Sequence, residues 1–172
     1  MLIAKQLQFA YGKRPVLQSI SCQANGGEMI VIVGPNGAGK STFLKLLSGE
    51  LQADEGTVKL HDRLLGKWPA AELARARAVV AQGTQATFDF SVEEVISLGR
   101  TSYRDATPDA NQTAVDAAME LLDLSPMRAR SILHLSGGEQ QRVHLARAFA
   151  QLDYPPQEVG VIGWEPRALL LD

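Results

Sequence analysis

The chain has 172 residues, of which 45% are hydrophobic and 21% are charged, a composition typical of one soluble globular domain. Its formal charge of −2 argues against bulk electrostatic binding of nucleic acid, although a local basic patch remains compatible with it. The single cysteine, Cys22, excludes a disulfide framework and a cysteine metal site, and no apolar run approaches membrane-spanning length.

Strands and turns are predicted at the start of the chain. Residues 2–9 alternate between apolar and polar side chains, and residues 16–24 have the pattern of a returning strand after a turn at residues 11–15. A further strand is predicted at residues 57–60, after a second turn signal. We expect these strands to form an antiparallel β annex.

A complete phosphate-binding loop, or P-loop, follows at residues 34–42, which spell Gly-Pro-Asn-Gly-Ala-Gly-Lys-Ser-Thr. The β-branched run at residues 29–33 is predicted as a buried parallel strand, and residues 43–47 have helix-compatible apolar spacing. A strand, a glycine loop and a helix form the context that this motif requires. The motif therefore predicts a nucleoside triphosphate site; the alternative is an ordinary glycine-rich turn before a helix.

Each part of this loop has a predicted task. We expect Gly34, Gly37 and Gly39 to allow a concave nest of backbone N–H groups around polyphosphate oxygens. Lys40 would bring a full charge to the β- and γ-phosphates, and the Ser41 hydroxyl would ligate Mg²⁺. The predicted nucleotide ligands in the loop are Gly34, Pro35, Asn36, Gly37, Ala38, Gly39, Lys40, Ser41 and Thr42.

The middle of the chain alternates between helix and strand patterns. Helices are predicted at residues 70–76, 91–98 and 108–122, the second with a capping box at Ser91 and Glu94. A buried strand at residues 78–81 ends at Gln82. This alternation, after the opening strands, predicts an α/β fold with a parallel central sheet beside the antiparallel annex.

A second candidate anion site lies at residues 135–140, which spell Leu-Ser-Gly-Gly-Glu-Gln. Ser136 and Glu139 form a capping box before a helix predicted over residues 141–150, and the two glycines leave backbone N–H groups bare. The alternative is a chance capping box with two glycines. Residues 151–166 are predicted to be irregular, and residues 167–172 form a final strand with Asp172 at its tip.

The P-loop and residues 135–140, in this order and with a glutamine loop between them, make the whole chain resemble the ATP-binding subunits of ABC transporters. The resemblance implies a P-loop NTPase fold of the α/β class, with a parallel RecA-like core sheet, an antiparallel β annex and a helical subdomain. It implies ATP and Mg²⁺ as cofactors. Within one partial ATP-binding domain, residues 1–82 and 151–172 would form the core and annex, and residues 83–150 mainly the helical region.

The resemblance also assigns roles to single residues. Tyr11 matches the aromatic residue that stacks on adenine, with an ordinary turn tyrosine as the alternative. Gln82 matches the glutamine that reaches Mg²⁺ and the attacking water, and Asp172 matches the Walker B aspartate that orients Mg²⁺ through water. Lys40, Gln82 and Asp172 are thus the implied catalytic residues, and Ser41, Gln82 and Asp172 the implied metal residues. Residues 135–140 match the signature motif of the family. Within it, Ser136, Gly137 and Gly138 match the residues that cap the γ-phosphate held by the partner subunit, and Gln140 is implied as a further nucleotide-binding residue.

The implied assembly is a head-to-tail dimer of two copies at the cytoplasmic face of the cell membrane, as a peripheral protein. Its implied partners are membrane permease subunits and, indirectly, an external binding protein, without nucleic acid. Residues 88–100 resemble the importers of iron chelates, haem and cobalamin, and the long connection at residues 151–166 resembles haemin importers in particular. The alternatives are a soluble ABC ATPase acting on nucleic acid or ribosomes and a non-catalytic nucleotide-binding fragment.

The family pattern continues beyond Asp172 with a glutamate as general base, a D-loop and a switch histidine. The family also has a later strand between the strands at residues 29–33 and 167–172. We therefore expect this chain to be part of a longer ATPase, with little or no ATP turnover by itself, and to be unstable or oligomeric on its own.

Overall fold

A computed structural model describes residues 1–81, 88–154 and 167–172. These residues form two compact units, one comprising Met1–Leu73 with Asp172 and the other comprising Ala74–Leu171. Of the helices in the described residues, none combines the length and the apolar composition that crossing a bilayer requires.

The first unit is built on an antiparallel four-stranded sheet with the strand order β2-β1-β3-β4. The strands are β1 (Leu2–Tyr11), β2 (Arg14–Ala24), β3 (Glu55–Leu60) and β4 (Arg63–Leu64). This sheet confirms the predicted antiparallel annex. Strand β4 was not predicted, because two residues are too short to show any periodicity.

A bulge in β1 explains why residue 56 of the neighbouring strand is a glycine. The β1–β3 pairing shifts register between Lys5 and Gln8, and Gln6 has a φ of 48°. Gly56 lies against this bulge with a φ of +89°, and a Cβ atom there would lie 2.4 Å from the carbonyl oxygens of both Lys5 and Gln6. Only glycine fits this position, since both the conformation and the close approach exclude a side chain.

Helix α1 (Lys40–Ser48) follows the P-loop, as predicted. Its side chains Phe43, Leu46 and Leu47 are buried, at the spacing that places residues on one helix face. Gly49 ends the helix with a φ of 74° and donates its N–H to the carbonyl of Leu46.

Residues 29–33 do not form the buried strand that their composition predicts. Their side chains are largely solvent-exposed, with exposed fractions of 89% for Met29, 72% for Val31 and 88% for Val33. A β-branched run favours a strand, but a strand also needs a neighbour to accept its backbone hydrogen bonds. Within the described ranges the sheets contain only β1–β4 and a separate parallel pair, and neither sheet includes this segment.

The second unit contains that parallel pair, formed by β5 (Arg77–Val80) and β6 (Ala168–Leu171). Its register runs from Arg77 opposite Ala168 to Val80 opposite Leu171, which confirms both predicted strands and their parallel direction. Helix α2 (Ala70–Ala76) precedes β5 at the predicted position.

Three helices form the apolar core of the second unit: α3 (Val92–Ser97), α4 (Pro108–Leu121) and α5 (Gly137–Gln151). The capping box of Ser91 and Glu94 is present, and Thr107 accepts a hydrogen bond from the N–H of Ala110 at the start of α4. The main buried residues shared by these helices are Val92, Ile96, Val115, Ala118, Met119, Val143 and Ala146.

The segment after α3 packs directly against the end of α5. A Cβ atom at Gly99 would lie 2.3 Å from the carbonyl oxygen of Arg147, so the two backbones touch directly. The neighbouring Arg100 is buried and donates to the Ala150 carbonyl and to Asp153, each over 2.7 Å. A cation at the carboxyl end of a helix also interacts favourably with the helix dipole.

Candidate functional site

Two glycines allow the P-loop to adopt its turn conformation. Gly37 and Gly39 have φ angles of 81° and 89°, in the left-handed region that favours glycine. Gly34 lies outside that region, and a Cβ atom there would make an ordinary 3.5 Å contact with Ala38. Gly37 and Gly39 are therefore the loop positions at which the backbone conformation itself favours glycine.

The end of this loop is the amino terminus of α1. Lys40, Ser41 and Thr42 lie in the first turn, where N–H groups have no acceptor within the helix. Phe43 donates its N–H to the Gly39 carbonyl over 2.8 Å, and the first turn contains no acidic residue. Bare N–H groups and the positive end of the helix dipole both favour an anion at this position.

The Lys40 ammonium group lies over the loop. Its Nζ atom donates to the carbonyl oxygens of Gly34 and Pro35, each over 2.9 Å. Pro35 also accepts the N–H of Ala38 over 3.3 Å, which closes a turn around the exposed Asn36. A polyphosphate entering the loop would replace two neutral carbonyl acceptors with charged phosphate oxygens, and charge-assisted hydrogen bonds are the stronger kind.

Two residues proposed to bind Mg²⁺ are brought together although they lie far apart in the sequence. The Ser41 hydroxyl donates to the Asp172 carboxylate over 2.9 Å. A hydroxyl and a carboxylate fit Mg²⁺, because proteins commonly hold this ion by one or two side chains together with phosphate oxygens. The described residues contain no cluster of three His, Cys, Asp or Glu side chains that could hold a metal. The residues therefore fit Mg²⁺ in the company of a phosphate ligand.

Tyr11 lies at the end of β1, with 53% of its surface exposed. Its ring is nearly perpendicular to that of Phe9, with centroids 4.9 Å apart and an interplanar angle of 88°. An exposed ring held in this way is available for stacking on a nucleotide base.

The predicted capping box at the start of α5 is present. Ser136 accepts the N–H of Glu139 over 3.3 Å, and Glu139 accepts the N–H of Ser136 over 2.7 Å. A Cβ atom at Gly137 or Gly138 would meet nothing within 4 Å, so a ligand can approach this backbone closely. The helix begins at Gly137, four residues before the predicted start, because the capping box brings both glycines into the first turn.

Gln140 has a structural contact that the sequence did not indicate. Its side-chain nitrogen donates to the carbonyl oxygens of Ile132 and Leu135, over 3.1 Å and 3.2 Å. The amide group therefore holds the turn that leads into the signature.

The proposed site residues are distributed over both units. Tyr11, the P-loop and Asp172 belong to the first unit, and the signature residues belong to the second. Gln82 and residues 155–166 of the long connection lie outside the described residues. A Cβ atom at Gly39 would lie 3.0 Å from side-chain atoms of Val16 and Leu17, so both residues lie close to the loop. The motifs did not indicate this, because a strand pattern does not reveal which loop packs against the strand.

The Glu139 carboxylate should make the start of α5 sensitive to acid. Hydrogen bonds from the Ser136 side chain and then its backbone hold the pKa of Glu139 below its ordinary value of 4.5. A carboxylate with a lowered folded-state pKa stabilises the fold above the unfolded-state value, and this stability is lost as pH falls through the folded-state value. We expect Glu139→Ala to reduce the protection of the Ser136 amide from hydrogen exchange several-fold at neutral pH, with a smaller effect at a pH low enough to protonate the Glu139 carboxylate.

The matched control is Glu120→Ala, which removes an exposed carboxylate from α4. That variant should leave the protection of the Ser136 amide unchanged at both pH values. A Glu139→Ala effect of equal size at neutral and acidic pH would contradict the role of the charged carboxylate.

Comparison with known sequences identifies similar proteins. The family model described as ABC transporter matches residues 17–153. A relative from Shewanella denitrificans named "Hemin import ATP-binding protein HmuV" is 40% identical over 170 residues, which is 99% of this chain and 66% of the relative. A relative of the same name from Escherichia coli O157:H7 is 42% identical over 166 residues, covering 96% of this chain and 59% of the relative. The chain thus spans less than two thirds of the length of these relatives.

Solved structures give the same fold. A nucleotide-free ATP-binding cassette from an ABC transporter matches with a TM-score of 0.76 and 27% identity, covering 88% of this chain and 65% of that structure. An ATP-binding subunit of an ABC transporter matches with a TM-score of 0.75 and 24% identity, covering 88% of this chain and 62% of that structure. The likeness confirms the predicted P-loop NTPase fold of the α/β class.

Proposed function

The chain belongs to the ABC transporter family, and we propose that it forms the ATP-binding part of an importer that couples ATP hydrolysis to uptake of haemin or a related iron chelate. The observation that carries the nucleotide function is the 2.9 Å hydrogen bond between Ser41 and Asp172 at the start of α1. It places a hydroxyl and a carboxylate beside a loop whose N–H groups favour phosphate. The names of the relatives support haemin as the cargo.

In the proposed reaction, the residues of this chain mainly position charge. The P-loop N–H groups and Lys40 hold the β- and γ-phosphates, with Lys40 moving from the carbonyls of Gly34 and Pro35 to phosphate oxygens. Mg²⁺, when bound, neutralises charge that develops on the phosphates. Ser41 and Asp172 would hold this ion, and Gln82 would orient the attacking water. Phosphoryl transfer relies mainly on such positioning and charge stabilisation.

Tyr11 supplies the base contact in this proposal, because an exposed aromatic face stacks on adenine without needing hydrogen-bond readout. The signature supplies the second phosphate contact, on the ATP held by another copy of the chain. Ser136, Gly137 and Gly138 provide an open helix start for this purpose, and the amide of Gln140 holds the turn in front of it. Two copies would therefore close head to tail around two ATP molecules.

The partners of this dimer are proposed to be membrane permease subunits, with a binding protein outside the cell supplying the cargo. The chain would then work as a peripheral protein at the cytoplasmic face of the membrane. In this arrangement, ATP binding would close the dimer, and the closure would displace the attached permease and so move the cargo.

The test uses the protein co-purified with its permease subunits and reconstituted into liposomes. Haemin presented by the binding protein is expected to stimulate ATP hydrolysis, whereas cobalamin is expected to have no effect. Stimulation by cobalamin instead would contradict the haemin assignment. Stimulation by RNA or ribosomes, without any response to the permease, would contradict the transport function.

A further inference from the structure

We propose that Phe9 and Leu17 are positioning residues that fix the ring of Tyr11 at a set place relative to the P-loop. The inference rests on the proposed binding of ATP, because it concerns where the base and the phosphates of one nucleotide lie. Neither residue belongs to a nucleotide-binding motif, and all the contacts involved lie within the first unit.

The ring of Phe9 contacts the ring of Tyr11. Alternate residues of a strand share a face, so Leu7, Phe9 and Tyr11 lie in a row along β1. Their exposed fractions rise from 0% through 9% to 53%, which makes Phe9 the buried support of an exposed ring. The perpendicular arrangement of the two rings is one that aromatic pairs favour. Phe9 therefore sets the orientation in which Tyr11 presents its ring.

Phe9 is paired with strand β2. Phe9 lies opposite Leu17 in the β1–β2 register, and both side chains are buried. Side chains directly opposite each other in an antiparallel pair are close enough to pack. The register shifts on both sides of Phe9, between Leu7 and Phe9 and between Phe9 and Ala10. The Phe9–Leu17 pair therefore fixes the two strands at a point where the regular ladder is interrupted.

Strand β2 lies close to the P-loop at Gly39. A Cβ atom at Gly39 would lie 3.0 Å from Leu17 Cδ2 and from Val16 Cγ1, and 3.3 Å from the Val16 carbonyl oxygen. The last glycine of the P-loop thus lies close against Val16 and Leu17, and a Cβ atom there would press on both side chains. Tyr11, Phe9, Leu17 and Gly39 therefore form one series, linked in turn by a ring contact, a strand pairing and a close approach.

This series matters because one nucleotide must satisfy both ends of it. The base stacks on Tyr11 only if the ring lies at the right distance and angle from the phosphates in the loop. A small misplacement of a group far from the chemistry is enough to lose much of such an interaction. Inorganic tripolyphosphate has no base, so its binding does not depend on the position of Tyr11.

The experiment compares the affinities of the whole chain for ATP and for tripolyphosphate, both with Mg²⁺, by titration calorimetry. Phe9→Leu keeps an apolar side chain but removes the aromatic contact. We expect this variant to bind ATP about three- to tenfold more weakly, with tripolyphosphate affinity unchanged within about twofold. The conservative variant Phe9→Tyr should restore ATP affinity, and Tyr11→Ala should show the same loss for ATP alone.

Tripolyphosphate binding also reports that the P-loop of the variant is folded. If Phe9→Leu weakened the binding of ATP and of tripolyphosphate equally, or weakened neither, the positioning role of Phe9 would be overturned. If the unmodified chain bound no ATP, the proposed nucleotide function would fail and this inference with it. If the unmodified chain bound ATP and Phe9→Leu bound it equally well, only the positioning role would fail.

Discussion

Replacing Lys40 with methionine is expected to weaken the binding of ATP with Mg²⁺ by about 100-fold or more. The physical reason is that the variant keeps the length of the side chain but removes the only cation that the P-loop motif itself supplies to the phosphates. In the structure this cation donates to two loop carbonyls, so it already lies within the loop. The measurement is the dissociation constant of ATP by titration calorimetry.

The chain contains a matched control for this change. Lys45 lies on the same helix and forms an exposed ion pair with Glu50 over 3.3 Å, so Lys45→Met removes the same charge away from the loop. Exposed ion pairs contribute little to stability, and we expect ATP affinity within about twofold of the unmodified chain. Equal weakening by the two variants would mean that net charge, and not the loop contact, controls binding.

Replacing Gly99 with alanine is expected to destabilise the second unit by about 3 kcal/mol. A Cβ atom at this position would lie 2.3 Å from the Arg147 carbonyl oxygen and 3.0 Å from the Gln151 nitrogen. Both are backbone atoms of α5, so the overlap cannot be relieved by rotating a side chain, and the helix itself must move. Urea unfolding followed by circular dichroism measures the change.

Gly138→Ala is the control for this prediction, because it makes the same substitution within α5 itself. A Cβ atom there meets nothing within 4 Å, and alanine favours a helix over glycine. Its stability should change by less than about 1 kcal/mol, in the stabilising direction. If Gly99→Ala unfolded at the same urea concentration as the unmodified chain, the close packing of this segment on α5 would be contradicted.

The features predicted correctly from the sequence are those specified by neighbouring residues. The capping boxes of Ser91 with Glu94 and Ser136 with Glu139 need only a hydroxyl and a carboxylate three residues apart. The parallel pair β5 and β6 and the antiparallel annex likewise follow from short apolar patterns.

The features that sequence patterns miss depend on distant partners. Residues 29–33 have a strand composition, but a strand needs a neighbour, and the described residues provide none for it. The contact of Gly39 with Val16 and Leu17 depends on how the loop packs on the hairpin, which no local pattern encodes. Similarly, the hydrogen bond of Ser41 with Asp172 joins residues 131 positions apart, and only the family resemblance indicated that the two would meet.

We infer that the P-loop, Ser41 and Asp172 form one site for ATP and Mg²⁺. The most direct test of this inference is the affinity of the purified chain for ATP, measured by calorimetry with Mg²⁺ and with a chelator. We expect saturable binding of a single ATP per chain that is tighter with Mg²⁺, and a smaller effect of Mg²⁺ in Asp172→Asn. An absence of saturable binding, or equal affinity with and without Mg²⁺ in the unmodified chain, would contradict it.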